Sequence, residues 1–181
     1  MEDKDYDLTF QILLLGYLST GKRDLFDRHF DNMLDGSSFD QGTLYIRTKI
    51  LVKDNKKIRI QFLDNYILEK FKSLAPCYLK GKDAIILVCD ITNYETLERL
   101  YYWLLDVEET YPKGNIEIIL IANKIDLEDK RQIPQDVIND FGKENKIEVF
   151  NTSSNTGEGI QDALRYLITK LINNKKIGIC E

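Results

Sequence analysis

Gly16 and Gly21 bracket a polar stretch, GYLSTGKR, that ends in Lys22 and Arg23. The G-x-x-x-x-G-K spacing lets successive backbone N–H groups face one point, where an anion with several oxygens can sit, and the lysine neutralises its outer charge. Phosphate groups fit that description. The preceding LTFQILLL reads as a strand and the following residues as a helix, the context such a loop requires. Leu18, Ser19, Thr20, Gly21, Lys22 and Arg23 are therefore the candidate phosphate-binding residues. The position after the lysine ordinarily carries a Ser or Thr hydroxyl that binds magnesium; here it is Arg23. A plain strand-turn-helix with a solvated lysine is the alternative reading of the stretch alone.

A second stretch, IEIILIANKID, is an apolar strand ending in Asn123, Lys124 and Asp126. Guanine offers two adjacent donors, N1 and the 2-amino group, and one carboxylate accepts from both; adenine has no such pair. By itself N-K-x-D is short enough to be a solvated loop. At the end of a strand roughly a hundred residues after a phosphate loop, it points to a guanine nucleotide.

These loops need strands and helices to hold them. Apolar, β-rich runs at Thr9–Leu15, Leu44–Lys53, Lys57–Leu63, Ala84–Asp90, Glu117–Asn123 and Glu148–Thr152 alternate with helical spacing at Arg23–Met33, Glu69–Leu79, Tyr94–Thr110, Gln135–Asn145 and Gly159–Asn173. Such alternation predicts an α/β fold with a mostly parallel sheet. The second and third strands are joined too tightly for a crossover and should form one antiparallel edge hairpin. In the last helix Ile160, Leu164, Leu167, Ile168 and Leu171 make one apolar face. Residues 34–43 and 64–68 read as loops.

With 181 residues, the chain suits one domain, expected over 9–173 between a short extension at 1–8 and a tail at 174–181. A net charge of -5 argues against nucleic acid or an anionic membrane as the main partner. Three scattered cysteines, Cys77, Cys89 and Cys180, suit a reducing compartment, and Cys89 within AIILVC reads as core packing. With no signal-peptide pattern and no long apolar run, a cytoplasmic protein is expected.

KKIRIQFLD, ILVCDITNYETLERLYYWLLDVEE, IILIANKIDLEDKRQI and VFNTSSNTGEGIQDAL resemble, in order and spacing, successive segments of the Ras-like small GTPases, most closely Rab proteins. The likeness covers nearly the whole chain. It implies a small G-protein fold of six strands and about five helices, with GTP or GDP as ligand and protein effectors or regulators as partners. By that resemblance Asp126 reads guanine, Asn123 braces the loop and the stem of Lys124 covers the base. TSSN becomes the last base-contacting loop, with Ser153 as support and the Ser154 backbone near the guanine carbonyl. Asn155 replaces the family's usual lysine and weakens that wall.

Set against the same family, the hydrolytic parts are altered. GTP hydrolysis depends on magnesium across the phosphates, a glutamine that orients water, and added positive charge. D-x-x-G-Q becomes DNYIL: Asp64 is kept at one remove from magnesium, Ile67 stands at the glycine and Leu68 at the glutamine, so no catalytic residue is assigned. Leucine cannot orient water, and isoleucine restricts the backbone that would meet the γ-phosphate. Leu18 occupies a position that is usually small. Thr43 is a weak match to the threonine of the first switch, while Leu34 stands at an aromatic position that Phe30 or Phe39 would have to replace.

Arg23 leaves magnesium doubtful and has three readings: a charge substitute reaching the phosphates, an ion pair with Asp64 that closes the pocket, or a side chain extended to solvent. His29 has no partner in sequence, and Trp103 with its neighbouring tyrosines reads as core. KKIGICE lacks the usual prenylation pattern, which makes membrane association doubtful. The expectation is an atypical Rab-like GTPase with weak or absent hydrolysis, acting through a partner, by family analogy in vesicle traffic. The alternative is a pseudo-GTPase scaffold without nucleotide; an adenine-specific kinase is disfavoured by Asp126.

Overall fold

The computed structural model describes residues 6–27, 38–40, 45–53, 55–64, 78–112 and 115–177. His29, Phe30, Leu34, Thr43, Ile67, Leu68, Cys77, Cys180 and the Phe39 side chain lie outside the described residues, as does most of the helix expected at Glu69–Leu79. The strands are β1 (Leu8–Leu15), β2 (Ser38–Asp40), β3 (Tyr45–Lys53), β4 (Lys56–Asp64), β5 (Ala84–Asp90), β6 (Glu117–Asn123) and β7 (Glu148–Thr152). The helices are α1 (Lys22–Asp27), α2 (Tyr94–Thr110), α3 (Gln135–Asn145) and α4 (Ile160–Ile177), with a 3-10 turn at Ile125–Lys130.

Strand order is β2-β3-β4-β1-β5-β6-β7. The six expected strands are present, with the three-residue β2 added antiparallel to β3 at the edge. β3 and β4 form the antiparallel hairpin, from Tyr45 opposite Asp64 to Lys53 opposite Lys56. Asn55 in its turn takes φ 59°, a conformation asparagine tolerates better than most residues. β4, β1, β5, β6 and β7 run parallel, so Asp64, Leu15, Asp90, Asn123 and Thr152 finish at one edge of the sheet.

Alternation along β1 separates two cores. Phe10, Ile12 and Leu14 pack with Leu25 of α1 and the apolar stripe of α4, whereas Leu13 and Leu15 pack with residues of α2 and α3. β5 lies between these layers and is buried at every position, which requires its unbroken apolar run. Burial pushes the Cys89 thiol up to about 12, so it is a packing residue. Trp103 is buried as expected, but Tyr101 and Tyr102 are exposed: a helix covered on one side cannot bury successive positions. α4 reaches Ile177, beyond the expected Asn173.

Candidate functional site

Between β1 and α1 the chain reverses over Gly16–Gly21 with little room for side chains. A Cβ on Gly16 would lie 2.4 Å from the Val88 carbonyl oxygen, so this loop passes directly over β5. Gly21 takes φ +85°, and a Cβ there would sit 2.5 Å from Asn123 Nδ2. Both glycines are thus required by close approach, and the second also by its backbone angle. Ser19 takes φ 62° without being glycine. Thr20 is buried and donates its hydroxyl to the Tyr17 carbonyl. Lys22, also buried, reaches back across the loop and donates to the carbonyls of Gly16 (2.6 Å) and Tyr17 (2.9 Å).

Asn123 joins this loop to the other motif. Fully buried at the end of β6, it donates to the Thr20 carbonyl (2.8 Å) and to Ser154 Oγ (3.2 Å). Its Oδ1 accepts from the Thr152 hydroxyl (3.1 Å) and the Ser154 N–H (2.9 Å). One amide therefore ties the end of β6 to loop segments 103 and 31 residues away from it. The exposed Asp126 accepts from Ser153 Oγ at 2.6 Å and from Asn155 Nδ2 at 3.3 Å. Those bonds, that from Ser153 foremost, hold its carboxyl below the usual aspartate range. Lys124, with φ 72°, forms an ion pair of 2.6 Å with Asp90.

A single cleft of about 680 Å³ runs along these residues, from Leu18, Lys22 and Arg23 at one end to Asp126, Ser154 and Asn155 at the other. The sequence signature of the Ras family matches residues 11–173. The chain belongs to the Ras family. Its Rab character follows from individual relatives. It is 29% identical to the Ras-related protein Rab-10 of Diplobatis ommata over 177 residues, covering 98% of this chain and 88% of that protein. Identity to the GTP-binding protein YPT1 of Saccharomyces cerevisiae is 29% over 161 residues, 89% of this chain and 78% of the relative. The human Ras-related protein Rab-15 is 31% identical over 169 residues, 93% and 79% of the respective chains.

Within this Ras-family fold the far side of the phosphate loop differs from the base end. Arg23 is exposed and stacks its guanidinium on the Tyr45 ring, 4.6 Å from the centroid, while the Tyr45 hydroxyl donates to Asp27 Oδ1. The expected alternative of an Arg23–Asp64 ion pair is not formed: the aromatic face of Tyr45, brought level with Asp64 by the β3–β4 register, holds the guanidinium instead. Asp64 Oδ1 is buried and has no hydrogen-bond partner. Loss of hydration raises the Asp64 carboxyl above the ordinary aspartate range, with Lys22 and Arg23 opposing and Asp27 adding to the rise. Among the described residues no group of three or more His, Cys, Asp or Glu is placed to hold a metal.

Tyr45, Asp27 and Asp90 escaped the reading of the sequence. Asp90 had a detectable signal, because it ends the strand beside β6 and pairs in register with Asn123, which puts it beneath Lys124. Tyr45 and Asp27 had none, since their meeting depends on how α1 lies across the hairpin. Among the described residues no helix is long and apolar enough to cross a membrane.

Proposed function

We propose that this Ras-family chain binds GTP and GDP, hydrolyses GTP very slowly or not at all, and acts by presenting its surface to a protein partner. Its Rab relatives suggest vesicle traffic as the setting. The observation that carries the reading is the fixed link from Asn123 to both Thr20 and Ser154, which puts the phosphate loop and the Asp126 carboxylate along one cleft. Ser19, Gly21 and Lys22 would meet the phosphates. Asp126 would accept from guanine, with Lys124, Ser154 and Asn155 beside the base and Ser153 holding the carboxylate.

Slow hydrolysis follows from substitutions at separate parts of the chemistry. Leu68 cannot align water, and Arg23 brings no hydroxyl to a metal. Single charge-stabilising parts of phosphoryl transfer are worth about 10³ to 10⁵ in rate, so losing more than one removes most of the acceleration. Among the described residues lining this end of the cleft, Asp24 and Asp64 carry carboxylates, and Lys22 and Arg23 add positive charge beside Asp64. Magnesium at nucleotide sites is held by one or two carboxylates together with phosphates and water; among the described residues it is disfavoured by the cation Arg23, which stands where a hydroxyl would add to that set.

A scaffold that binds no nucleotide is favoured by one observation: both Asp126 oxygens are already engaged, by Ser153 and Asn155. Nucleotide released by denaturing the natively purified protein, followed by calorimetric titration with GDP, GTP and ATP, separates the readings. Co-purified guanine nucleotide and selective GDP and GTP binding are expected, with multiple-turnover hydrolysis close to background. Protein that is empty and refuses both guanine nucleotides would sink the proposal.

A further inference from the structure

The side of the cleft next to Asp64 carries a held cation. Arg23 follows Lys22 directly, and its guanidinium rests on the Tyr45 ring. The ring is itself anchored, by its hydroxyl on Asp27 and by a strand position opposite Asp64. Stacking on an aromatic face fixes a guanidinium without using its N–H edge, which keeps its donors for oxygen acceptors. Arg23 and Asp64 line the same cleft, yet the two charges do not pair. An arginine paired with Asp64 would spend its N–H donors on that carboxylate; one resting on Tyr45, at the lining of the cleft, does not.

We propose that Arg23, positioned by Tyr45, contacts the nucleotide phosphates in place of a divalent cation, so that guanine nucleotide binds without magnesium. This deepens the nucleotide-binding reading above and rests on it. Arg23 supplies the N–H donors and the charge, and Tyr45 is a positioning residue that keeps the guanidinium off Asp64.

Calorimetric titration of the full chain with GDP, in excess magnesium and in EDTA, tests the assignment. Wild type should change affinity by less than about threefold between the two conditions. Arg23→Ser should bind about tenfold or more weaker in EDTA, the loss expected for a charge-assisted hydrogen bond to phosphate, and recover when magnesium is added. Tyr45→Phe keeps the ring and should follow wild type, whereas Tyr45→Leu should fall toward Arg23→Ser in EDTA alone. Arg23 is exposed, so its variant remains informative even if Tyr45→Leu unfolds.

A wild-type affinity that drops tenfold or more in EDTA would overturn the assignment and leave guanine binding standing. So would an Arg23→Ser variant equal to wild type in EDTA. No GDP binding in either condition overturns the guanine reading itself, and this inference with it.

Discussion

The two ends of the cleft grow from the same edge of the sheet but differ in how completely their polar groups are satisfied. At the base end Asn123 makes four hydrogen bonds, and both Asp126 oxygens are held in place. At the phosphate end Asp64 keeps a buried oxygen with no partner, and an arginine rests on a tyrosine where the family has a hydroxyl. Unpaired buried polar atoms cost stability and persist at sites with a task. Under the proposed function, this contrast separates a recognition half that is kept from a magnesium and hydrolysis half that is rebuilt.

The sharpest way to break the comparison is to cut the link between its two sides. In Gly21→Ala the new methyl would sit 2.5 Å from Asn123 Nδ2, at a φ of +85°. Asn123 cannot yield freely, because that nitrogen is bonded to Thr20 and Ser154. Backbone strain and a disturbed buried amide together should cost about 3 kcal/mol, lowering the thermal midpoint by about 6–12 °C. An unchanged midpoint would mean that the loop and the base end are not rigidly joined.

Next comes a change confined to recognition. Asp126→Ala removes an exposed carboxylate, so stability should hardly move, while GDP affinity should fall about a hundredfold for two lost charge-assisted hydrogen bonds. The pH dependence follows from the depressed Asp126 pKa. Its carboxylate persists at pH values where an ordinary aspartate, near 3.9, begins to protonate, and any stability it lends is lost only as pH falls through the lower folded value. The Asp126 contribution to GDP affinity, read as wild type against Asp126→Ala, should therefore be flat from about pH 7 to pH 5. A decline within that range would place a different titrating group at the site.

What was legible in the sequence tracks this same division. Phosphate loop and N-K-x-D are local signals: each depends on a glycine, lysine or carboxylate at a strand end, and alternation along β1, β5 and β6 places those ends at one edge. The resemblance implied Asn123 as a brace and Ser153 as a support; Asn123 donates to the Thr20 carbonyl and Ser153 Oγ to Asp126, contacts that the short motifs alone do not specify. Arg23 was legible only as a departure. Whether it meets Asp64, solvent or an aromatic ring depends on Tyr45, whose register against Asp64 is set by the entire hairpin. The short β2 was missed because three residues carry no usable periodicity.

A smaller effect sharpens the base end. Asn155, read from the resemblance as standing in for a lysine, donates from its Nδ2 to Asp126 Oδ2 at 3.3 Å, on an oxygen a guanine donor would use. Asn155→Ala keeps the backbone N–H that donates to Ser153 Oγ and removes the competing amide. GDP affinity should rise about two- to fivefold, less than a full neutral hydrogen bond because 3.3 Å is long. Competition fluorescence against labelled GDP would resolve it. A fall in affinity would mean that Asn155 holds the carboxylate in place rather than occupying it.

The smallest effect comes from the other end, and its sign carries the argument. Burial is the main cause of the raised Asp64 pKa, outweighing the pull of Lys22 and Arg23. A folded value above the unfolded one means that the native state holds the proton more tightly. Its favourable contribution is present below the unfolded value, near 3.9, and is lost as pH rises through the folded value. At neutral pH, above the unfolded value, the Asp64 carboxyl therefore opposes folding of the nucleotide-free protein. Asp64→Asn has nothing to titrate, so it should raise the midpoint at pH 7 by about 2 °C, equivalent to roughly 0.5–1 kcal/mol. That advantage over wild type should shrink as pH is lowered toward 4. If instead the variant is less stable at pH 7, the two cations already satisfy Asp64, and the phosphate end is as well balanced as the base end.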